Sequence, residues 1–183
     1  MSDDQQSRAP KRGPYLKKNR AVRIEGEIAY IPLTKGYEAI IDADDVKLLN
    51  DFNWSACLSK GTFYAVRTEY SSGAKRKVSL HHLIFKPLSG FVIDHIDGNG
   101  LNNSRTNLRY ASSEQNAQNR RIGPLNTTGF KGVCYRKCRK KWVVSITKSG
   151  KRHHVGEYFN LESAVSASIA SREDLHGKFG RIK

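Results

Sequence analysis

A carboxylate and an imidazole stand side by side where an apolar run of the chain ends. Residues 91–93 have the composition of a strand, Asp94 and His95 follow directly, and residues 96–100 are rich in turn-forming types. Carboxylate oxygens suit a hard cation such as Mg²⁺, and a neutral imidazole accepts protons near neutral pH. The pair therefore indicates metal-assisted hydrolysis, in which a cation neutralises charge and a base activates water.

A second strand and a helix are needed to bring further polar groups to this pair. Residues 108–110 have strand composition, and Ser112 with Gln115 three residues later forms a capping box that opens a helix. Asn116 lies in the first turns of that helix. If strand, loop, strand and helix fold as one compact unit, Asn116 faces the end of the first strand. We therefore expect Asp94 and Asn116 to hold a divalent metal ion beside His95.

Three short motifs in this part of the chain resemble HNH homing endonucleases of phages and group I introns. The resemblance includes the spacing from the Asp-His pair to the asparagines that follow it. The motifs are His81-His82-Leu83, residues 92–98, and Asn103-x-x-x-Asn107-Leu108-Arg109.

The resemblance implies a ββα-metal active site that hydrolyses phosphodiester bonds of DNA with one divalent ion. On the matching positions, His95 is the general base and Asp94 and Asn116 are the metal ligands. Asn107 braces the loop that aims the His95 ring. The expected ion is Mg²⁺, with Mn²⁺ as a substitute. Many relatives carry histidine at the last ligand position, whereas Asn116 matches the phage subgroup.

Other polar residues around the motifs have competing interpretations. His81 suits either a metal or phosphate contact or a packed, hydrogen-bonded role beside apolar neighbours, and His82 is interpreted as a bystander. Arg105 and Arg109 are candidate phosphate contacts, although exposed arginines are common on any surface. Turn formation is the simplest role for the remaining loop residues, namely Asp97, Asn99, Asn102 and Asn103.

The chain before these motifs predicts a small mixed scaffold. Residues 27–41 fit a hairpin, residues 42–52 a short helix, and residues 62–69 and 77–80 two more strands. The predicted fold class is α+β: a mixed scaffold with a ββα-metal motif, followed by a three-stranded antiparallel sheet packed on one helix.

Charge is concentrated at the two ends of the chain, whose net charge is +15. Residues 1–23 carry seven basic and two acidic side chains, and residues 120–183 carry fifteen and four. Residues 24–119 between them carry ten and eleven. Cationic blocks of this kind favour a polyanionic partner, DNA or RNA, rather than a small molecule. The resemblance to HNH endonucleases implies double-stranded DNA.

Composition also predicts the domain boundaries. Residues 1–20 are predicted to be a flexible basic arm, residues 21–121 the nuclease domain, residues 122–127 a linker, and the rest, 128–183, a separate domain.

The last domain contains Gly132-Val133, the strand-like runs 141–146 and 155–159, and an Ala-rich helix that ends at His176-Gly177. On these motifs it resembles the APETALA2 DNA-binding domain. Three strand-like runs precede a helix that Asn160 would cap and that would end near Gly177, with Leu161, Val165 and Ile169 as its buried stripe. Plant relatives usually have arginine or tryptophan where Cys134 and Cys138 stand, so their recognition code is not transferred. DNA contacts are expected from one sheet face and from basic residues near the junction: Arg120, Lys131, Arg136, Thr147, Arg152 and His154.

The cysteines suggest neither a disulfide framework nor a zinc site. Three cysteines are too few and too unevenly spaced for disulfides and fit a reducing compartment. A zinc site would need Cys134 and Cys138 together with His153 and His154. Because adjacent residues on a strand point to opposite faces, those two histidines are poorly placed for it, and no zinc is expected.

Two functions follow from these patterns. The first is a site-specific DNA endonuclease of a homing or mobile element, acting as a monomer in the cytoplasm, or in that of the bacterial host if phage-encoded. No apolar run reaches the ~20 residues needed to span a bilayer. The alternative is a DNA-binding regulator with a degenerate nuclease fold.

Overall fold

The computed structural model describes residues 20–49, 52–71, 74–123 and 125–181. Within these residues, eleven strands form four small antiparallel sheets, and three α-helices and five 3-10 helices accompany them. The expected basic arm, except for Arg20, lies outside these residues. No helix among the described residues is long and apolar enough to cross a membrane.

The front part holds two three-stranded sheets and a one-turn helix. Its elements are β1 (Arg23–Glu25), β2 (Ile28–Pro32), β3 (Glu38–Asp42), β4 (Ser55–Ser59), β5 (Thr62–Ser71), β6 (Ala74–Ser79) and α1 (Leu80–Ile84). Alternation along β2 and β3 buries Ala29 and Ile31 against Ala39 and Ile41, which sit in register across the pair. These side chains form one core with Trp54.

Two features of the front part differ from the sequence-based expectation. The helix predicted over residues 42–52 is a 3-10 helix, Ala43–Leu48, which turns the chain sharply after β3. The residues of strand β4 show no strand pattern in the sequence. The strand forms because it pairs with β5, in a register that places Ala56 opposite Ala65. Tertiary pairing decides both features.

The middle part has the predicted order of strand, loop, strand and helix. Strand β7 (Val92–His95) pairs with β8 (Leu108–Ala111), so that Asp94 lies opposite Arg109. Helix α2 (Ser113–Asn119) begins with the predicted capping box between Ser112 and Gln115.

The C-terminal module, residues 128–181, is the predicted sheet with one helix packed on it. Strands β9 (Val133–Arg136), β10 (Lys141–Lys148) and β11 (Lys151–Tyr158) form a sheet with β10 in the centre. Helix α3 (Leu161–His176) covers one sheet face and is capped by Asn160 as predicted.

The buried line of α3 differs from the predicted stripe. The side chains predicted to form it, beginning with Leu161, are only half-buried. The most buried positions are instead Ala164, Ser168, Arg172 and His176. The small Ala164 and Ser168 allow close approach to the sheet, and Ser168 donates a hydrogen bond of 2.9 Å to the carbonyl of Lys131.

Candidate active site

The Asp94 carboxylate lies at the end of β7 and is only 5% exposed. Arg109, its neighbour across the strand pair, places Nε and Nη2 2.9 and 2.8 Å from Oδ2. Asn119 at the end of α2 donates from Nδ2 to both carboxylate oxygens at 3.0 Å and to the carbonyl of His95 at 2.9 Å. The helix and both strands therefore fix this carboxylate.

The His95 ring is equally buried, with 6% of the residue exposed. Its Nε2 lies 3.2 Å from Oδ1 of Asn103, a side chain that is fully buried. Burial lowers the pKa of His95 below its ordinary value, and the Asn103 bond and the carboxylates of Asp97 and Asp94 only partly oppose that shift. The ring is therefore neutral at physiological pH, as a proton acceptor must be.

Two rings confine His95 from the side of the front part. Tyr64 of β5 and His81 of α1 lie with ring centroids 5.8 and 5.2 Å from it. Burial, aided by neighbouring imidazoles, lowers the pKa of His81 to about 3, and its Nδ1 is buried without a hydrogen-bond partner among the described residues. His82 beside it is exposed. His81 thus belongs to the site as a neutral ring.

Asn107 holds the loop between the two strands. Its Nδ2 donates to Oδ1 of Asp97 at 2.9 Å and to the carbonyl of Asn102 at 2.8 Å, and its Oδ1 accepts from the backbone N–H of Asp97 at 3.0 Å. Asn102 in turn donates to Oδ2 of Asp97. One amide therefore ties together the start, the middle and the end of the loop.

The C-terminal module reaches into this site. Phe179 lies under the Arg109 guanidinium, 3.8 Å from ring centroid to carbon, and Arg109 Nη1 donates to the carbonyl of Lys178 at 2.8 Å. Arg181 donates to the carbonyl of Asp97 and occupies the space that a Cβ on Gly98 would need. Residues 178–181, called here the C-terminal clamp, thus form one wall of this site.

The predicted metal ligands are only partly arranged for a cation. Oδ2 of Asp94 accepts from Arg109 and Asn119, whereas Oδ1 accepts from Asn119 alone and retains acceptor capacity. Asn116 lies one turn before Asn119, half-buried, and its side chain makes no hydrogen bond within the described residues. A free carboxylate lone pair and an uncommitted amide fit a hard cation.

Clusters of the residue types that bind zinc are absent from the described part of the chain. Within residues 20–49, 52–71, 74–123 and 125–181, no three or more His, Cys, Asp or Glu side chains group together to hold a metal. Cys134 lies on β9, Cys138 is exposed in the following turn, and His153 and His154 are exposed on β11.

Four of the predicted DNA-contacting residues are exposed in the sheet of the C-terminal module, on the side opposite α3. Arg152 sits in register with Thr147, and His154 with Ser145. Arg152 Nε donates to the Ser145 hydroxyl at 2.9 Å. Glu157 on the same face pairs with Arg139 and lies 4.0 Å from the Lys141 ammonium. The exposed predicted residues are Arg136, Thr147, Arg152 and His154.

The other predicted DNA contacts lie elsewhere, and three of them are engaged within the protein. Arg105 forms a two-point pair with buried Asp45, at 2.9 and 2.7 Å, and Arg109 belongs to the site. Lys131 donates to the carbonyl of Gln118 at 3.0 Å, and burial beside three arginines lowers its pKa to about 8. Arg120 is exposed at the end of α2.

Sequence reasoning gives no role in this site to Tyr64, Asn103, Asn119, Phe179 or Arg181. Asn103 has the residue type of a turn, and Asn119 lies three residues after Asn116 on the same helix face. That helical spacing is the one signal that could have found Asn119. Phe179 and Arg181 carry no signal, because their contact with the loop depends on how the two parts of the chain pack.

A buried carboxylate and a neutral imidazole at one strand end, backed by a helix, have the chemistry of a phosphodiester hydrolase. Residues 80–118 match the model of the HNH endonuclease family. Protein 3.8 of Escherichia phage T7 is 39% identical over 94 residues, which cover 51% of this chain and 77% of the phage protein. An uncharacterized HNH endonuclease of Acanthamoeba polyphaga mimivirus is 28% identical over 151 residues, 79% of this chain and 74% of that protein.

These findings agree with the geometry of the site. Residues 80–118 are an HNH endonuclease domain, and together with the mimivirus relative this match supports a nuclease. No solved structure matches the chain significantly. The resemblance to an APETALA2 domain therefore has no support from these comparisons and stays a prediction.

Proposed function

We propose that this protein is a site-specific DNA endonuclease of a homing or mobile element. It hydrolyses phosphodiester bonds of double-stranded DNA with His95 as general base and one divalent metal ion. It works as a monomer, in the cytoplasm of the bacterial host if it is phage-encoded. The observation that carries the proposal is the buried, neutral His95 beside Asp94 at the end of β7.

Asp94 and Asn116 would hold the ion, because they offer a free carboxylate lone pair and an uncommitted amide. HNH nucleases generally use a divalent metal, and Mg²⁺, with Mn²⁺ as substitute, suits these hard oxygen donors. When bound, the ion neutralises negative charge on the phosphate and the leaving oxygen. In this proposal the predicted ββα-metal arrangement consists of β7, β8 and α2.

The role of His95 is to take a proton from the attacking water through Nδ1. Nε2 faces Asn103, and Nδ1 has no hydrogen-bond partner within the described residues. Asn107 keeps the loop in place, and thereby the backbone next to His95, through its three hydrogen bonds. These contacts exist before substrate arrives, so little reorganisation is required during the reaction.

DNA recognition is assigned to the exposed sheet face of the C-terminal module, on the APETALA2-like interpretation. Arg136, Thr147, Arg152 and His154 would reach a groove from adjacent strands. Arg120 is free to reach a phosphate. Arg105 could do so through Nη1 while it stays paired with Asp45, whereas Arg109 and Lys131 are engaged inside the protein.

A cleavage assay tests the function directly. The purified protein is incubated with DNA that flanks its own gene and with a scrambled control, with Mg²⁺, Mn²⁺ or chelator. We expect metal-dependent cuts at one site, and none with His95→Ala. Tight, specific binding without cleavage under any metal would instead favour the DNA-binding regulator with a degenerate nuclease fold.

A further inference from the structure

The Asn103 side chain is fully buried and directed at the His95 ring. This contact indicates a role beyond turn formation. Its backbone N–H donates to the carbonyl of Ile40 at 2.7 Å, and the N–H of Ile40 donates to the carbonyl of Leu101 at 2.8 Å. These two bonds attach the loop to β3 of the front sheet. Asn103 is thus anchored to the buried core of the nuclease domain.

The amide of Asn103 can be oriented without ambiguity. Nδ2 donates to the carbonyl of Leu101 at 2.9 Å, and a carbonyl can only accept. The oxygen must therefore face His95, 3.2 Å from Nε2. Because an amide oxygen only accepts, Nε2 of His95 must carry the proton. In the neutral ring, Nδ1 then holds the lone pair.

Solvent cannot replace this acceptor, because Asn103 is inaccessible to water. The rings of Tyr64 and His81 restrict the remaining freedom of the His95 ring. An amide that accepts from Nε2–H therefore decides which nitrogen faces the reacting water and at what angle.

We infer that Asn103 is a positioning residue for the reaction: it fixes His95 in the tautomer whose Nδ1 is the base. The inference rests on the proposed function, since it assigns a partner to the proposed base. Positioning errors of the order of 1 Å can lower a rate ~100-fold.

The first test is NMR of the metal-free, full-length protein with ¹⁵N-labelled histidine. We expect the His95 proton on Nε2 and an Hε2 signal protected from exchange with water. If the wild-type protein carries the His95 proton on Nδ1, the inference is wrong, and no variant is needed to show it. This measurement does not depend on cleavage, so it separates failure of this inference from failure of the proposed function.

The second test uses three variants. Asn103→Leu removes the acceptor at similar size, Asn103→Asp keeps an acceptor, and Asn99→Ala perturbs the same loop without touching His95. The Hε2 signal should disappear in Asn103→Leu and persist in the other two. For cleavage, kcat of Asn103→Leu should fall about 10- to 100-fold with KM unchanged, and Asn103→Asp should recover part of it.

Two results would contradict the inference. One is an Hε2 signal that persists in Asn103→Leu. The other is a folded Asn103→Leu protein that loses the signal but keeps its kcat. If Asn103→Leu does not fold, Asn103→Ser, which is too short to reach Nε2, takes its place in both measurements.

Discussion

The two halves of the molecule use polar residues in opposite ways. In the nuclease domain, Asp94, His95, Asn103, Asn107 and Asn119 are all buried and hydrogen-bonded to one another or to the backbone. In the C-terminal module, the side chains proposed to contact DNA are exposed on a sheet face, with few internal partners.

The difference fits the proposed division of roles between the two parts. A reacting group needs one position and one protonation state, and burial within a hydrogen-bond network supplies both. Groups that meet a polyanion need to be reachable and charged, and they need little fixing before contact. The C-terminal clamp is the exception. It is part of the C-terminal module in sequence, but its residues pack against the site of the nuclease domain.

The substitution His95→Ala should separate cleavage from DNA binding most clearly. We expect cleavage to fall ~10²–10⁴-fold with nearly unchanged DNA affinity, because the base acts on water and does not hold the duplex. Single-turnover cleavage and fluorescence anisotropy in chelator measure the two effects. A parallel fall in binding and cutting would contradict the division.

The clamp is tested by Phe179→Ala. The ring is buried between the halves and supports Arg109, so its removal should cost about 3–5 kcal/mol of the free energy of unfolding. Urea denaturation measures this cost. The matched control is Phe159→Ala, whose ring is exposed in the same module and should change stability by less than about 0.5 kcal/mol. Equal effects would show that the clamp does not join the halves.

The buried imidazoles predict acid sensitivity of the nuclease domain. Because the pKa of His81 is lowered to about 3, its stabilising effect is complete above the unfolded pKa near 6.5 and disappears as pH falls towards 3. Between pH 7.5 and 5 this one group should remove about 2 kcal/mol of the free energy of unfolding.

His81→Leu should therefore flatten the dependence of stability on pH, measured by urea unfolding at each pH. His82→Leu should flatten it less, because that side chain is more exposed. Identical curves for wild type and His81→Leu would refute the burial argument.

The smallest expected effects are on the exposed sheet face. Arg136→Ala or Arg152→Ala should cost ~1–3 kcal/mol of binding if the arginine makes a two-point bond to guanine, and should reduce the salt slope by about 0.9 for each phosphate that is no longer neutralised. Anisotropy across a salt series on cognate and scrambled duplexes gives both numbers. Lys47→Ala, which removes an exposed charge from the front part, is the control. If Lys47→Ala weakens DNA binding more than either arginine variant does, the DNA-binding surface lies on the front part and not on the C-terminal module.

Local patterns predict the elements that hold the site. The capping box of Ser112 and Gln115, the Asn160 cap and the strand end at Asp94 all lie where the sequence indicates them, since each depends on a few neighbouring residues. The buried line of α3 is displaced from the predicted one because small side chains, not the large apolar ones, set how closely the helix packs.

The partners within the site cannot be predicted in the same way. Asn103 and Asn99 have the same residue type in the same loop, yet only Asn103 is directed at His95, because its backbone pairs with Ile40 more than sixty residues earlier. Phe179 is about seventy residues from Arg109 along the chain. Such contacts follow from packing between distant segments and leave no periodic trace in the sequence.

The C-terminal clamp sets a condition for retargeting this nuclease. A hybrid that joins the nuclease domain to an unrelated DNA-binding domain at residues 122–127 would lack Phe179 and Arg181 together with the rest of the C-terminal module. Arg109 would keep Asp94 but would be without its aromatic support and the Lys178 carbonyl. A hybrid protein therefore has to retain residues 178–181, or to include a designed segment that covers Arg109 and Gly98, if the site of the nuclease domain is to keep its structure.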